Sequence, residues 1–448
     1  MQVGQKKDGP ESKKRTVSLI GTGMGSKKGM TQEALAALDQ ADLIFGAERM
    51  LRFAHCGQTD PFGVSAACIC EYRPQEVCAY LLEHPLVRHA VVLLSGDTGF
   101  FSGAKKLTEV LAPHFDLKIF CGISSMSYLA AKLCIAWDDM VPASQHGRDC
   151  NLIGLLARKK KVFVLFSDAA QVRGLAAQLL EFGMGQVQMA VGNNLGQTRD
   201  RKDGDGAEYI SGFAPPETYL SYRREGLHAA VLVYAQAEEF TVTAGIADDA
   251  FARGADAGRP IPMTKEEVRV ISLSKLRLRE DSILFDIGAG TGSVSVEAAR
   301  LAYRGMVYAF EKNPVAAALI RKNRLWFQTP NLTVVEGDAL TCLRTNAHPV
   351  PTHAFLGGTG GSMADILDWL YARNPNIQIV ANTVTLESLS EILAYCAKHG
   401  RRAEYVQVAV SSAREAGVYH MMQARSPVMV VRLYHEHGAG YKSQIGVT

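Results

Sequence analysis

Short apolar runs alternate with longer stretches of helical period along most of this chain, which predicts α/β layers built on largely parallel sheets. Two of the runs end in glycine loops. Thr16–Ile20 leads into Gly21-Thr22-Gly23-Met24-Gly25, followed by a helix from Gln32 to Gln40 with Thr31 as its N-cap. Ser282–Ile287 leads into Gly288-Ala289-Gly290-Thr291-Gly292, followed by a helix from Ser293 to Leu301. Residues 244–262 are rich in Gly, Ala, Asp and Pro and keep no period, so a loose joint is expected at 236–262. It gives way to Thr264-Lys265-Glu266-Glu267, a capping-box pattern opening a helix through Val268, Ile271 and Leu276. A smaller hinge near 137–145 divides the first part in two. The expected partition is a disordered tail at 1–15, a first domain at 16–235, the linker, and a second domain at 263–448.

Composition fits this partition. The 448 residues suggest two or three domains at roughly 150 residues each. With 47% hydrophobic and 21% charged residues they can bury large cores, so global disorder and a coiled coil are excluded. Lys plus Arg is 48 against Asp plus Glu 45, a net +3, which is too balanced for a protein devoted to a phosphate backbone. Nine scattered cysteines lack a zinc or redox spacing and read as free thiols in a reducing cytoplasm. No apolar run approaches the ~18 residues of a membrane span, and the Lys-rich first fifteen residues lack the apolar centre of a signal peptide. Residues 199–206 read as a charged surface loop.

The second glycine loop carries the more specific chemistry. Glycines after a strand let backbone N–H groups approach a ligand. The next strand ends in Glu311, placed for a ribose diol, and the one after it in Gly337-Asp338-Ala339, whose acid suits an adenine amine. Asp286, just before the loop, is placed for the ammonium of a methionine. This series resembles the class I S-adenosylmethionine-dependent methyltransferases. A dinucleotide site competes, but the spacing is Gly-x-Gly-x-Gly rather than Gly-x-Gly-x-x-Gly. At the fourth strand end stands Phe355-Leu356-Gly357-Gly358-Thr359-Gly360-Gly361 in place of the Asn/Asp-Pro-Pro turn of amine-methylating enzymes, leaving room for a large flat ligand or donors for its carboxylates.

The first loop lacks a following acid. Two further strand-to-turn signals accompany it, Ser95-Gly96-Asp97-Thr98-Gly99-Phe100-Phe101 and Gly122-Ile123-Ser124-Ser125. The set resembles the tetrapyrrole methylases, with Met24 and Thr98 replacing the usual prolines. That likeness implies a class III fold of two α/β subdomains, with Gly192 and Asn193 in the second.

Joined, the halves resemble the fused precorrin methyltransferases of cobalamin biosynthesis, supported by Ile261-Pro262-Met263-Thr264, the run after Asp286 and Glu311-Lys312-Asn313-Pro314. The resemblance implies an N-terminal tetrapyrrole methylase fold plus a C-terminal Rossmann-like class I methyltransferase domain. It implies one S-adenosylmethionine per half, methylation of a precorrin or cobalt-precorrin at C-5 by the first half, and methylation at C-15 with decarboxylation of the ring C acetate by the second. Cofactor contacts are implied for Thr264, Gly288, Ala289, Gly290, Thr291, Gly292, Glu311, Asp338 and Ala339, and in the first half for Gly21, Gly23, Gly25, Ser95, Gly96, Asp97, Ser124, Ser125, Gly192 and Asn193. Gly357, Gly358, Gly360 and Gly361 with Lys312, Arg321 and Arg414 are candidates for substrate, and His420 and Asp97 for proton transfer, although His420 also fits a packing role. No protein-bound metal, nucleic acid or membrane partner is expected, and a cytoplasmic homo-oligomer is. Two other readings stay open: an NAD-linked dehydrogenase fused to a tetrapyrrole methylase, and an RNA methyltransferase using the basic tail.

Overall fold

The computed structural model describes residues 15–51, 66–146, 150–197, 207–235, 243–256, 258–345 and 347–434. Residues 1–14 of the expected tail and the 199–206 loop lie outside them, whereas Arg15 is placed, its Nη1 donating to Leu81 O at 2.7 Å. The chain groups into two compact units, residues 1–149, 160–177 and 185–234, and residues 150–159, 178–184 and 235–448.

The first unit holds two sheets. One contains β1 (Thr16–Gly21), β2 (Leu43–Phe45), β3 (Ala67–Ile69), β4 (His89–Leu94) and β5 (Asp116–Phe120), in the order β3-β2-β4-β1-β5 and wholly parallel. Its central strands are apolar at successive positions because both faces are covered. Val17, Leu19 and Val92 enter one core, while Ile20, Val91 and Leu93 enter the other. The second sheet contains β6 (Val141–Ser144), β7 (Lys161–Phe166), β8 (Gln188–Asn193), β9 (Tyr209–Ile210) and β10 (His228–Val233), in the order β6-β7-β10-β8-β9. Only β6 and β7 run parallel there. These are the two subdomains expected.

In the second unit, β11 (Ala255–Asp256) and β12 (Arg259–Pro260) form a small antiparallel pair. The main sheet has β13 (Ile283–Ile287), β14 (Met306–Glu311), β15 (Leu332–Glu336), β16 (His353–Leu356), β17 (Gln378–Thr383), β18 (Arg402–Val408) and β21 (Val428–Tyr434), ordered β15-β14-β13-β16-β17-β21-β18. The first five are parallel, and β21 is antiparallel to both of its neighbours. Because β13 lies between β14 and β16, the strand order reverses at the glycine loop, the place where open α/β sheets receive ligands. A separate hairpin, β19 (Ser411–Ala416) with β20 (Tyr419–Ala424), was not foreseen.

Three expectations change in detail. The described part of the expected joint, from 243 onward, is folded: Gly245 N and Ile246 N donate to Glu297, and Phe251 is buried in the core with Leu284 and Val307. Thr264 does not cap a helix. The helix runs Glu266–Leu276 with Lys265 at the N-cap and no side-chain cap bond. Instead, Asp248 Oδ1 accepts from Glu266 N at 3.0 Å. Cys68 is disulfide-bonded, which corrects the expectation of nine free thiols, whereas Cys70, Cys78, Cys121, Cys134, Cys150, Cys342 and Cys396 are free. Among the described residues no helix is long and apolar enough to cross a membrane.

Candidate functional site

In the second unit the loop after β13 is bent over the end of β14, with Gly288 N and Ala289 N both donating to Phe310 O, at 3.0 and 3.1 Å. Gly288, Gly290 and Gly292 have φ of +73°, +58° and +76°, a region that side chains enter at a cost. Space is equally restrictive. A Cβ on Gly288 would stand 2.3 Å from Gly358 O, and one on Gly290 2.5 Å from Pro262 O. The glycine loop therefore lies backbone to backbone between the turn after β16 and the end of the 244–264 segment. Thr291 N donates to Pro262 O at 3.3 Å, and Ser293 Oγ reaches Thr264 O at 3.5 Å.

The two predicted acids stand at the end of β14 and just after its neighbour β15, where Gly337 N donates to Glu311 O at 3.0 Å, and both make structural bonds. Glu311 is nearly buried at the end of β14; its Oε2 accepts from Gly290 N at 2.8 Å and its Oε1 from Asn313 N at 2.9 Å. It fixes the apex of the loop, and each oxygen keeps a second lone pair. Asp338 caps the helix Ala339–Arg344, its Oδ1 accepting from Thr341 N and Thr341 Oγ1, both at 2.9 Å. Those bonds, aided by Lys312, hold its carboxyl below the usual carboxylate range.

Asp286 is turned inward. It is 1% exposed, Ser295 Oγ donates to its Oδ2, and its Oδ1 has no partner. Burial pushes its carboxyl up to about 7, opposed by the Ser295 bond. The folded chain thus favours the protonated form. Its stabilising contribution is whole below the unfolded value of 3.8 and is lost as pH rises through the folded value, up to about 4 kcal/mol over that window. We expect the melting temperature of Asp286→Asn to fall less than that of wild type between about pH 5 and pH 7.5. Parallel curves in differential scanning calorimetry would refute this origin.

Of the candidate cations, Lys312 lies nearest the glycine turn: its Nζ is 3.5 Å from the position of a Cβ on Gly360. Gly360 and Gly361 have φ of +60° and +88°, and a Cβ on Gly358 or Gly361 would meet nothing within 4 Å, so this turn is open. Gly357 N and Gly358 N donate to Ile287 O, which ties it to β13. Arg321 is already paired with Glu336 at 2.7 Å. Arg414 is exposed on β19 opposite Met421, and His420 is exposed on β20 opposite Glu415, which corrects the packing role suggested for that histidine.

In the first unit, the loops after β1, β4 and β5 meet because β1 lies between β4 and β5. Gly23 bridges Gly96, with N–H to O distances of 3.1 and 2.9 Å. Asp97 links two loops: its Oδ1 accepts from Gly99 N at 2.8 Å and its Oδ2 from Gly122 N at 3.0 Å. Both oxygens thus brace backbone, which gives this acid a positioning place. Ser124 caps the helix Ser125–Lys132, and Ser95 is exposed at the end of β4. The second sheet faces the first loop through a turn, since a Cβ on Gly196 would stand 2.3 Å from Met24 Cβ, and Gln197 lies 3.7 Å from one on Gly25. Gly192 packs against Leu195 and Leu129. Asn193 is buried, and its Nδ2 donates to Glu225 O at 2.9 Å and Leu227 O at 3.3 Å, so the side chain serves the interior.

Sequence reasoning missed Arg269, Glu297 and Asn323, which are buried and bind the 244–264 segment. Their partners lie up to 71 residues away in the chain, so no local pattern announces them. Gly122, quoted only as part of a turn, proves to be pressed by backbone atoms on two sides, with a Cβ there standing 2.4 Å from Gly96 O and 2.7 Å from Gly21 O.

Comparison with known proteins covers both halves. The tetrapyrrole (corrin/porphyrin) methylase family matches residues 16–202, and the precorrin methyltransferase domain family matches residues 258–435. A cobalt-precorrin-6B C(15)-methyltransferase (decarboxylating) of Salmonella typhimurium is 37% identical over 191 residues, 42% of this chain and 95% of that protein. A precorrin-6Y C(5,15)-methyltransferase [decarboxylating] of a Sinorhizobium species is 29% identical over 425 residues, 93% of this chain and 94% of that one. Among solved structures, a precorrin-6Y C5,15-methyltransferase of Geobacter metallireducens is 36% identical and aligns with 44% of this chain and 100% of its own, at a TM-score of 0.40.

Proposed function

This chain belongs to the decarboxylating precorrin methyltransferases, and we propose that it is bifunctional, methylating a precorrin or cobalt-precorrin at C-5 with its N-terminal half and at C-15 with its C-terminal half, with loss of the ring C acetate carboxylate as carbon dioxide. We take residues 16–235 and 263–448 as the two catalytic parts. The reading includes a cytoplasmic homo-oligomer without a protein-bound metal.

S-adenosylmethionine, when bound, supplies a methyl group made electrophilic by its sulfonium. The residues fit such a ligand. Asp286 Oδ1 and Thr291 Oγ1, both buried at the C-terminal glycine loop, lack a protein partner, so the loop holds polar groups that the chain itself leaves unsatisfied. The loop of Gly288 to Gly292 would hold the methionine part, Glu311 the ribose, and Asp338 with Ala339 the adenine, with Thr264 at the loop's edge. In the N-terminal half, Gly21, Gly23, Gly25, Ser95, Gly96, Ser124, Ser125 and Gly192 would line the corresponding trough, with Asp97 and Asn193 bracing it.

The observation that carries the reading is the apposition of two glycine turns at the C-terminal ends of the neighbouring central strands β13 and β16, Gly288 against Gly358, with Lys312 beside Gly360. One turn presents backbone to a small cofactor. The other stays open toward a large, flat polycarboxylate, whose carboxylates Lys312 would pair with. A reduced tetrapyrrole is electron-rich at its meso carbons, so the protein need supply no nucleophile of its own, and positioning can account for much of the rate. In decarboxylation the electrons of the broken C–C bond pass into the conjugated ring. Arg321, held by Glu336, is the weaker candidate for substrate.

Incubating the full chain with S-adenosylmethionine and the precorrin should give, by mass spectrometry, a product with two added methyl groups and one carbon dioxide lost. A product retaining every carboxylate, or tight NADH binding in place of S-adenosylhomocysteine, would overturn the assignment.

A further inference from the structure

Arg269 is the largest fully buried side chain among the described residues, with no exposed surface. Its donors reach four groups. Nε donates to Glu297 Oε1 at 2.5 Å, Nη1 to Thr264 O at 2.6 Å and to Asp248 Oδ1 at 3.2 Å, and Nη2 to Ile246 O. The guanidinium also lies over the Phe251 ring, 4.9 Å from its centroid. Every partner except Glu297 belongs to the 244–264 segment.

Glu297 completes the arrangement from the helix Ser293–Leu301, the helix that the glycine loop opens. Its oxygens accept from Gly245 N at 2.7 Å and Ile246 N at 3.1 Å. A second anchor comes from Asn323, also fully buried. Its Oδ1 accepts from Ala252 N at 2.7 Å, while its Nδ2 donates to Thr291 O at 2.9 Å. The segment is thus fastened at its start by Glu297, in its middle by Asn323 and at its end by Arg269. That end supplies Pro262 O, against which Gly290 is pressed.

A buried ion pair of this kind is a poor stabiliser, since desolvation consumes most of the attraction and apolar residues of similar volume often do as well. What it provides here is direction. The guanidinium fork fixes Thr264 O and Ile246 O in one plane, which a hydrophobic pair could not do. We propose that Arg269, paired with Glu297, is a positioning residue for cofactor binding in the C-terminal half: it holds the 244–264 strap so that Pro262–Thr264 forms a fixed wall on the Gly290–Ser293 turn. This rests on the S-adenosylmethionine reading of that half.

The test uses the full chain, titrated calorimetrically with S-adenosylhomocysteine well below its melting temperature, with the N-terminal site as the internal reference. Arg269→Lys keeps the charge and the Glu297 pairing but cannot span both carbonyls. It should weaken the C-terminal site at least about tenfold while the N-terminal site is unchanged. The double variant Arg269→Met with Glu297→Gln removes both charges and keeps an acceptor toward the Gly245 and Ile246 N–H groups, so its melting temperature should exceed that of Arg269→Met alone while the C-terminal site stays weak. Wild-type affinity in Arg269→Lys, or affinity recovering together with melting temperature in the double variant, would show a purely structural role and overturn the proposal. Failure of wild type to bind S-adenosylhomocysteine at all would instead remove the cofactor reading itself.

Discussion

Replacing Gly290 by arginine is expected to remove one of two S-adenosylhomocysteine sites per chain and leave the other intact. Three constraints act together at this position. Its φ is +58°, a left-handed conformation that costs a residue with a Cβ about 1 kcal/mol or more. The added Cβ would lie 2.5 Å from Pro262 O, a backbone atom whose segment is anchored by Arg269 and Asn323 and cannot turn aside. The Gly290 N–H is also the group that Glu311 holds at 2.8 Å, so displacing it frees a carboxylate predicted to face the ribose. The C-terminal affinity should fall at least about 100-fold, equivalent to ~2.7 kcal/mol. Gly358→Ala is the matched control, because its Cβ would meet nothing within 4 Å and its φ is not positive. It should bind S-adenosylhomocysteine within about twofold of wild type. Two undiminished sites in Gly290→Arg would contradict the placement of the cofactor on this loop.

What the sequence made legible here was what is local. The strand-to-glycine-loop units, the helix Ser293–Leu301 and the Thr31 cap all depend on residues a few positions apart, and the structure has them where the pattern put them. Thr264 shows the limit of that reasoning. Thr-x-x-Glu is a genuine N-terminal signature, yet here Asp248, 18 residues upstream, reaches Glu266 N and takes the place of the Thr264 hydroxyl. Composition misled in a similar way at 244–262. A Gly, Ala, Asp and Pro stretch without period has no way to signal that its backbone N–H groups will be satisfied by Glu297 and Asn323, since those acceptors come from helices far along the chain. Among the charged candidates, residue type alone could not separate Lys312, beside the open glycine turn, from Arg321, already paired with Glu336. Long-range pairing, rather than local propensity, decides which charge is available.

The N-terminal half is expected to be most sensitive at Gly122, where a single added methyl group should suffice. Here the constraint is steric alone, since the φ of Gly122 is not positive. A Cβ would lie 2.4 Å from Gly96 O and 2.7 Å from both the carbonyl carbon and the oxygen of Gly21, so all three loops would have to part. None of these contacts is a flexible side chain. Parting them also stretches the bond from Gly122 N to Asp97 and the bridge between Gly122 and Met30, which hold the turn before the Ser124 cap. Overpacking of a closely fitted site typically costs about 1–3 kcal/mol, and here it falls on the surface proposed to receive the cofactor. Gly122→Ala should therefore lose the N-terminal S-adenosylhomocysteine site in the two-site titration while the C-terminal site keeps its affinity. With precorrin as substrate, the product should lack the C-5 methyl group, detectable by mass spectrometry and assigned by NMR. Gly103→Ala, whose Cβ would meet nothing within 4 Å, should change neither site. If Gly122→Ala bound at both sites as wild type does, the convergence of the three loops would be architecture only, and the N-terminal cofactor would have to be sought elsewhere.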